Sequence, residues 1–313
     1  MKKKTVVIYF LILVFLTLST GCGQKVASLN DPGGVYSSSD KDIDYDDEVS
    51  GRLSEDPRDN ALYAQGPEGD EVPAVSSQDA SLGQLSNKVL RWGISRKQEN
   101  MTPDADPGTP RLLAKYGGIY LGDTSKKEIY LTFDEGYENG YTTKILDTLR
   151  DDNAKGVFFI TGPYLKEHED LVRRMVEEGH IVGNHTIHHP SLPDLSDKQL
   201  EDEIVGLDNA FYEKFEQHMR YLRPPKGEYS ERTLDVTNKL GYCNMFWSFA
   251  YDDWYKDKVR GADYAYNIVM RNLHNGAILL LHAVSKDNAD ALDRIIKGAR
   301  EKGYEIGNVY DIQ

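Results

Sequence analysis

The feature that most constrains the fold is an alternation of strand patterns and helix patterns that runs from residue 127 to the C-terminus. Residues 129–133 are rich in β-branched and aromatic side chains, and residues 154–160 form a continuous apolar run typical of strands buried on both faces. The segments between strands carry apolar residues at helical spacing. Such alternation predicts a parallel sheet with external helices. Roughly seven or eight such units favour a barrel over an open sheet.

Reactive side chains stand where the predicted strands end. Residues 129–133 lead directly into Asp134, Glu135 and Gly136. The carboxyl edge of a parallel sheet is where functional sites are built, although Asp-Glu-Gly alone would suit a solvated turn equally well. Four further strand ends carry polar side chains: the histidine-rich segment 185–189, Arg223, Asp253 and His282. Five such ends are hard to explain as turns alone.

The charge distribution argues against nucleic-acid binding. The formal net charge of the 313-residue chain is −14, which disfavours contact with a phosphate backbone. Residues 31–71 contain 13 acidic and 3 basic residues, a balance of −10, so most of the excess lies outside the predicted folded body. The chain's two cysteines, Cys22 and Cys243, are too few for a disulfide framework.

The N-terminus has the pattern of an export signal. Lysines at residues 2–4 precede an apolar run, 5–18, that is too short to span a bilayer comfortably. The run ends in residues 18–22, which resemble a lipoprotein signal with Cys22 as the acylated residue, although Ser19 replaces the usual aliphatic residue. An uncleaved anchor and an ordinary secretory signal are the alternatives. We therefore expect export, with either a lipid anchor on the outer face of the cytoplasmic membrane or secretion.

A linker follows the signal. Residues 23–84 bear Ser, Asp, Gly and Pro without helical or strand periodicity, which predicts a disordered acidic tether. The sequence thus divides into a signal peptide at 1–22, a linker at 23–84 and a catalytic domain at 85–313.

The five strand ends together resemble the motifs of the polysaccharide deacetylases of NodB-homology type, carbohydrate esterase family 4. The resemblance covers about residues 127–281 by motif. It implies a deformed (β/α) barrel that removes N-acetyl groups from amino sugars with a divalent metal. Zn²⁺ is the leading candidate for that metal, beside Co²⁺, Mn²⁺ and Mg²⁺.

The resemblance implies roles for both acids of the first motif, residues 132–136. Asp134 takes the position of the general base that accepts a proton from the attacking water. Glu135 takes the position of a metal-ligating Asp, and its extra methylene changes the reach of the carboxylate. Glutamate also binds zinc, so Glu135 is predicted to be a metal ligand.

The histidine segment supplies the other predicted metal ligands. Imidazoles four residues apart on a helical turn face the same way and suit a metal. Spacing alone fits His185 with His188 as well as His185 with His189, and a solvated histidine-rich turn is the bland alternative. The family pattern selects His185 and His189.

The third motif, residues 223–227, places two cations in the site. Arg223 would pair with Asp134 and hold it ionised, because a nearby guanidinium favours the charged carboxylate. Lys226 stands where the family has an aromatic residue whose backbone N–H completes an oxyanion hole. Its charge indicates an acidic substrate group, unless Lys226 is a surface lysine without a role.

The last two motifs supply the general acid. Asp253, rather than its neighbour Asp252, precedes Trp254 as the family pattern requires, and it would orient the catalytic histidine while Trp254 walls the pocket. His282 would protonate the leaving amine, a role that suits a histidine. Leu280, in the same motif, is assigned to substrate binding.

Further segments refine the substrate. Residues 92–93, 136–142 and 230–234 resemble the sporulation branch of the family, which deacetylates N-acetylmuramic acid on the way to muramic δ-lactam. This implies a peptidoglycan glycan strand as substrate, with an amidase that removes stem peptides acting beforehand. The alternatives are an N-acetylglucosamine deacetylase of peptidoglycan, chitin or another polysaccharide, and a catalytically weakened cell-wall glycan-binding protein.

Overall fold

The computed structural model describes residues 85–312. The predicted signal peptide with Cys22 and the predicted linker lie outside the described residues, and both assignments stay predictions. Among residues 85–312, no helix combines the length and hydropathy needed to cross a bilayer.

The described chain alternates strands and helices. The strands are β1 (Leu90–Arg91), β2 (Ile94–Ser95), β3 (Asp104–Ala105), β4 (Glu128–Glu135), β5 (Gly156–Ile160), β6 (Ile181–Asn184), β7 (Tyr221–Leu222), β8 (Glu228–Tyr229), β9 (Cys243–Asn244), β10 (Ala277–His282) and β11 (Glu305–Ile306). The helices are α1 (Thr109–Lys115), α2 (Thr142–Asp151), α3 (Gly162–Glu167), α4 (Glu169–Glu177), α5 (Asp197–Phe215), α6 (Glu231–Lys239), α7 (Ala262–Asn272) and α8 (Lys286–Glu301).

The main sheet is a parallel half-barrel. Its strands run in the order β10-β4-β5-β6-β7-β9, and β11 pairs with the start of β4. All of these pairs are parallel, so every strand ends at the same edge. Isolated bridges join Ile119 to Met245 near β9 and Phe249 to Leu279 of β10. The predicted parallel α/β architecture is confirmed. The sheet forms a half-barrel, whereas the number of strand–helix units had favoured a barrel.

Two cores lie on opposite faces of the sheet because side chains alternate along each strand. The larger core lies on the face that carries Leu131 and Phe133, where Phe133 stacks on Phe158 with ring centroids 4.9 Å apart. The smaller core lies on the face that carries Tyr130. There Trp92 donates its indole N–H to the carbonyl oxygen of residue 247 at 2.9 Å.

Ser196 and Ser230 cap the starts of α5 and α6. Each serine accepts a backbone N–H from the residue three positions later, and both form complete capping boxes. α3 and α4 are separate helices because the chain leaves helical geometry at His168 (φ −129°, ψ 42°), which caps the end of α3 and the start of α4.

A buried histidine makes the stability of this fold pH-dependent. Nδ1 of His180 accepts the backbone N–H of Gly156 at 3.2 Å, so the neutral ring is required in the folded state. Burial, with a smaller effect of Lys155, lowers the pKa of His180 to about 4. In the unfolded chain the pKa of His180 is about 6.5. Between pH 6.5 and about 4, protons therefore bind the unfolded state more tightly than the folded state. The free energy of unfolding should therefore fall as pH drops from about 6.5 towards 4.

His180→Asn tests this expectation, because an amide oxygen can replace the Nδ1 acceptor but does not titrate. Urea unfolding across this pH window should show a shallower pH dependence for the variant than for the wild type. Equal slopes in the two proteins would contradict the assignment.

Candidate active site

The sheet register gathers the predicted side chains at one edge. His282, the last residue of β10, lies directly opposite Asp134 near the end of β4. His185 directly follows β6, and Arg223 directly follows β7. The backbone N–H of Arg223 donates to the carbonyl oxygen of Asn184 at 3.0 Å, which fixes β7 against β6 at the level of the site.

A buried ion pair forms the centre of the site. Nη1 of Arg223 donates to Oδ1 of Asp134 at 2.7 Å, Nη2 donates to the hydroxyl of Thr132 at 2.9 Å, and Nε donates to the carbonyl oxygen of Met245 at 3.2 Å. The guanidinium lies 4.1 Å from the centre of the Phe159 ring. Arg223 is fully buried, so its charge acts on Asp134 with little screening by solvent.

Asp134 is held ionised. Burial alone would raise the pKa of its carboxyl group, but the charge of Arg223, followed by His185 and His282, outweighs burial and lowers it. Because Arg223 occupies Oδ1, the second oxygen faces the histidines: Oδ2 lies 3.5 Å from Nε2 of His185. A carboxylate in this state can accept a proton from a bound water.

His185 presents an unprotonated nitrogen to the site. Its Nδ1 lies 2.8 Å from the carbonyl oxygen of Arg223, and since a carbonyl can only accept, Nδ1 carries the proton and Nε2 has the free lone pair. The ring of His189 is 4.7 Å away. Burial and the neighbouring His185 lower the pKa of His189 to about 3, so the ring is neutral at pH 7.

The structure distinguishes the pairing of His185 with His189 from the alternative pairing with His188. His188 is exposed and binds Glu203 outside the site, with Nδ1 at 2.7 Å from the carboxylate. The segment is an irregular turn and not the predicted helical one, because Thr186 (φ 68°) and His189 (φ 59°) have left-handed backbones. This turn brings His189 beside His185.

The opposite side of Asp134 carries a second acid–histidine pair. Nδ1 of His282 donates to Asp253 at 2.7 Å, and the backbone N–H of His282 donates to the other carboxylate oxygen at 2.9 Å. Burial would lower the pKa of His282, but Asp253, with a smaller contribution from Asp134, raises it. The competing Asp252 instead pairs with Lys258 and Arg260. The protonated ring can offer its Nε2 proton to a leaving group.

The remaining predicted residues border this centre. Trp254 packs edge-on against His282 with centroids 5.7 Å apart. Leu280 precedes His282 by two residues on the same face of β10 and is almost fully buried. Lys226 is exposed in a left-handed conformation (φ 58°), close enough for its charge to lower the pKa of His189.

Glu135 lies on the opposite face of β4 from Asp134. Its side chain is fully buried, and Oε2 lies 3.5 Å from the hydroxyl of Thr142 on α2. Oε1 has no hydrogen-bond partner among residues 85–312. Burial, followed by the charges of Glu138 and Asp134, raises the pKa of Glu135 well above its usual range. Glu135 therefore lies behind the sheet, where burial favours its neutral form, and it does not complete a metal site with His185 and His189.

Sequence reasoning missed two residues that hold the site. Thr132 bonds Arg223, and the alternation along β4 could have revealed it, since Thr132 shares a face with Asp134. Asn288, on α8, donates to Asp253 at 2.5 Å and to the carbonyl oxygen of His282 at 3.2 Å. Nothing in the local sequence around Asn288 signals this role.

Comparison with known proteins agrees with this geometry. Residues 121–245 match the family model described as polysaccharide deacetylase. The chain is 44% identical over 229 residues to the peptidoglycan-N-acetylmuramic acid deacetylase PdaA of Bacillus subtilis, which covers 73% of this chain and 87% of that protein. The solved structure of B. subtilis PdaA, a family 4 carbohydrate esterase, aligns with a TM-score of 0.71 and 43% identity over 73% of this chain and 98% of that one.

A more distant relative acts on a different sugar. The chain is 32% identical over 193 residues to a peptidoglycan-N-acetylglucosamine deacetylase of Bacillus cereus, covering 60% of this chain and 69% of that protein.

Deacetylases of this family are generally metal-dependent, and the donors present here do not fit a complete site. Within residues 85–312, no group of three His, Cys, Asp or Glu side chains is arranged to hold a metal ion. The two imidazoles suit a metal, but Glu135, the expected third ligand, faces away.

The orientation of Glu135 predicts the behaviour of Glu135→Gln. Because glutamine resembles a neutral carboxylic acid in shape, the variant should keep its zinc affinity and its turnover within about threefold of the wild type. Isothermal titration with Zn²⁺ checks this, with His189→Gln as the matched change on the imidazole side. Changes to residues that support a metal site typically weaken metal affinity by roughly 10–100-fold. A loss of zinc affinity of that size in Glu135→Gln would show that the side chain of Glu135 turns into the site.

The Asp253–His282 pair predicts a shift in the pH–rate profile. His282 acts in its protonated form, so activity is present below its folded pKa and lost as pH rises through that value. Asp253→Asn removes the charge that raises this pKa, so the alkaline limb of kcat/KM should move to lower pH and kcat should fall at least about tenfold. Asp252→Asn, which removes a carboxylate that does not bind His282, should leave the limb in place. An unchanged limb in Asp253→Asn would contradict the assignment.

Proposed function

Because the chain belongs to the polysaccharide deacetylase family, whose members hydrolyse carbon–nitrogen bonds, we propose that it removes the N-acetyl group of N-acetylmuramic acid in peptidoglycan. The observation that carries the chemistry is the ionised Asp134 between Arg223 and the protonatable His282. The relationship to the B. subtilis muramic acid deacetylase supports the substrate.

The residues divide the reaction between a base and an acid. Asp134 accepts a proton from water as the water oxygen bonds to the acetyl carbonyl carbon, and Arg223 keeps the carboxylate ionised and oriented. His282 gives its Nε2 proton to the sugar nitrogen as the carbon–nitrogen bond breaks, which releases acetate and a free amine. Asp253 stabilises the imidazolium before that transfer. The backbone N–H of Lys226 is assigned to the developing oxyanion, where one such donor is worth about 3 kcal/mol.

The exposed Lys226 supports muramic acid in particular. Among the described residues, no carboxylate forms an ion pair with Lys226, and its charge lies near His189. Muramic acid differs from glucosamine by a lactyl carboxylate, which is a suitable partner for this ammonium. The lactyl group would thereby place the acetamide between Asp134 and His282, while Trp254 and Leu280 line the pocket.

The cellular setting follows from the predicted N-terminus. We place the enzyme outside the cytoplasmic membrane, held there by a lipid on Cys22 or secreted, where its glycan substrate lies. An amidase that strips stem peptides would supply the unsubstituted lactyl carboxylate that Lys226 requires.

N-acetylglucosamine deacetylation is the second candidate, favoured by the 32% identity to the B. cereus enzyme. Mass spectrometry of digested peptidoglycan, from denuded and intact sources, separates the two candidates. The proposal predicts loss of acetyl groups from muramic acid in the denuded material. Acetate release only from N-acetylglucosamine would overturn the muramic assignment, and no release from any glycan would favour a binding protein.

Asp134→Asn tests the assignment of the base. Asparagine cannot accept the proton from water, so turnover should fall by at least the roughly 10²–10⁴-fold contribution of general base catalysis. The variant is compared with the wild type by acetate release from denuded glycan, with thermal unfolding as the control for the fold. Retained turnover in a folded variant would refute the role of Asp134.

A further inference from the structure

The border of the site beside His282 carries a cluster that the proposed mechanism uses only in part. Trp254, which packs on His282, also packs on Tyr255 with ring centroids 5.2 Å apart. The next residue, Lys256, holds its ammonium 4.2 Å from the centre of the Tyr137 ring. We call Tyr137, Trp254, Tyr255 and Lys256 the aromatic rim.

The aromatic rim reaches across the end of β10. Tyr137 lies two residues beyond β4, on one side of β10, while the chain leading to Lys256 pairs with the other side of β10 through the bridge between Phe249 and Leu279. The contact between Lys256 and Tyr137 therefore passes over the strand end that carries His282. A sugar bound against the rim would lie next to the general acid.

The charge on this rim is available to a ligand. Lys256 is exposed, and no carboxylate within residues 85–312 forms an ion pair with it. Lys258, in the same loop, is instead neutralised by Asp252.

We propose that the aromatic rim is a second sugar subsite, in which Lys256 binds a carboxylate of a sugar neighbouring the one that is deacetylated. This inference rests on the proposed function, because it takes a peptidoglycan strand as the ligand. Aromatic faces pack on the apolar faces of sugar rings, and an ammonium over such a face offers an anion a fixed partner.

The two cations of the site serve different sugars. Lys226 follows β7, whereas Tyr137 follows β4, and these strands are three sheet positions apart, about 14 Å at the usual strand spacing. Lactyl carboxylates recur on alternate sugars of a peptidoglycan strand. Lys226 and Lys256 therefore lie at separate strand ends, and in this proposal each binds the carboxylate of a different sugar of one strand.

Glycan binding to a catalytically disabled protein tests the subsite. The full chain carrying Asp134→Asn is titrated with denuded peptidoglycan strands, with and without Lys256→Gln, and binding is followed by calorimetry. Lys256→Gln should weaken binding about three- to fivefold, the effect of losing an exposed ion pair. Tyr137→Leu should act in the same direction, and Lys256→Arg should restore binding. Lys239→Gln removes the same charge from α6 and should have no effect.

The same titration is repeated with glycan whose carboxylates have been converted to neutral methylamides. This ligand separates the charge interaction of Lys256 from its other contacts with the glycan. On this neutral ligand, Lys256→Gln should bind as tightly as its parent. An equal loss on both ligands, an unchanged affinity on both, or no binding by the parent would overturn the subsite. These outcomes are distinct from failure of the proposed function, which is absence of acetate release from N-acetylmuramic acid by the wild-type protein.

Discussion

The buried ion pair between Asp134 and Arg223 is the interaction on which the rest of the site depends. Arg223 is fully buried, and its donors reach Asp134, Thr132 and the carbonyl oxygen of Met245. One side chain thus ties β4 to the chain segments after β7 and β9. Removing one partner of such a pair costs about 3–5 kcal/mol, because it leaves a charge buried and unpaired. The pair therefore fixes the fold of this edge and the charge of the base together.

The electrostatics of the site follow from this pair. With Asp134 held negative, one oxygen remains directed to the histidine side, and the negative charge also favours protonated His282. Asp253 and Asn288 reinforce that state from behind. The result is a base and an acid with opposite pKa shifts on adjacent strands, which is the condition for both to be in the right protonation state at neutral pH.

Much of this arrangement could be predicted from the sequence. Polar residues at the ends of parallel strands must meet at one edge, so the grouping of Asp134, His185, Arg223 and His282 followed from the strand pattern and the motifs. The orientation of Glu135 was also available in principle, because neighbours on a strand face opposite sides. The family motif was instead given more weight than the alternation of side chains. That choice led to a metal ligand that the structure places behind the sheet.

Other features depended on tertiary geometry that no local pattern encodes. The choice of His189 over His188 rests on two left-handed residues within an irregular turn. Asn288 reaches Asp253 from a helix 35 positions further along the chain. The contact between Lys256 and Tyr137 joins two loops that are neighbours only after β10 pairs with β4.

The pH dependence of kcat/KM on denuded glycan is the most direct test of the central claim that Asp134, ionised by Arg223, is the base. We expect activity to persist as pH is lowered from neutrality, until pH falls below about 3.9, the ordinary pKa of an aspartate, as long as the protein stays folded. An acid limb near about 7, as expected for a metal-bound water acting as the titrating group, would contradict it.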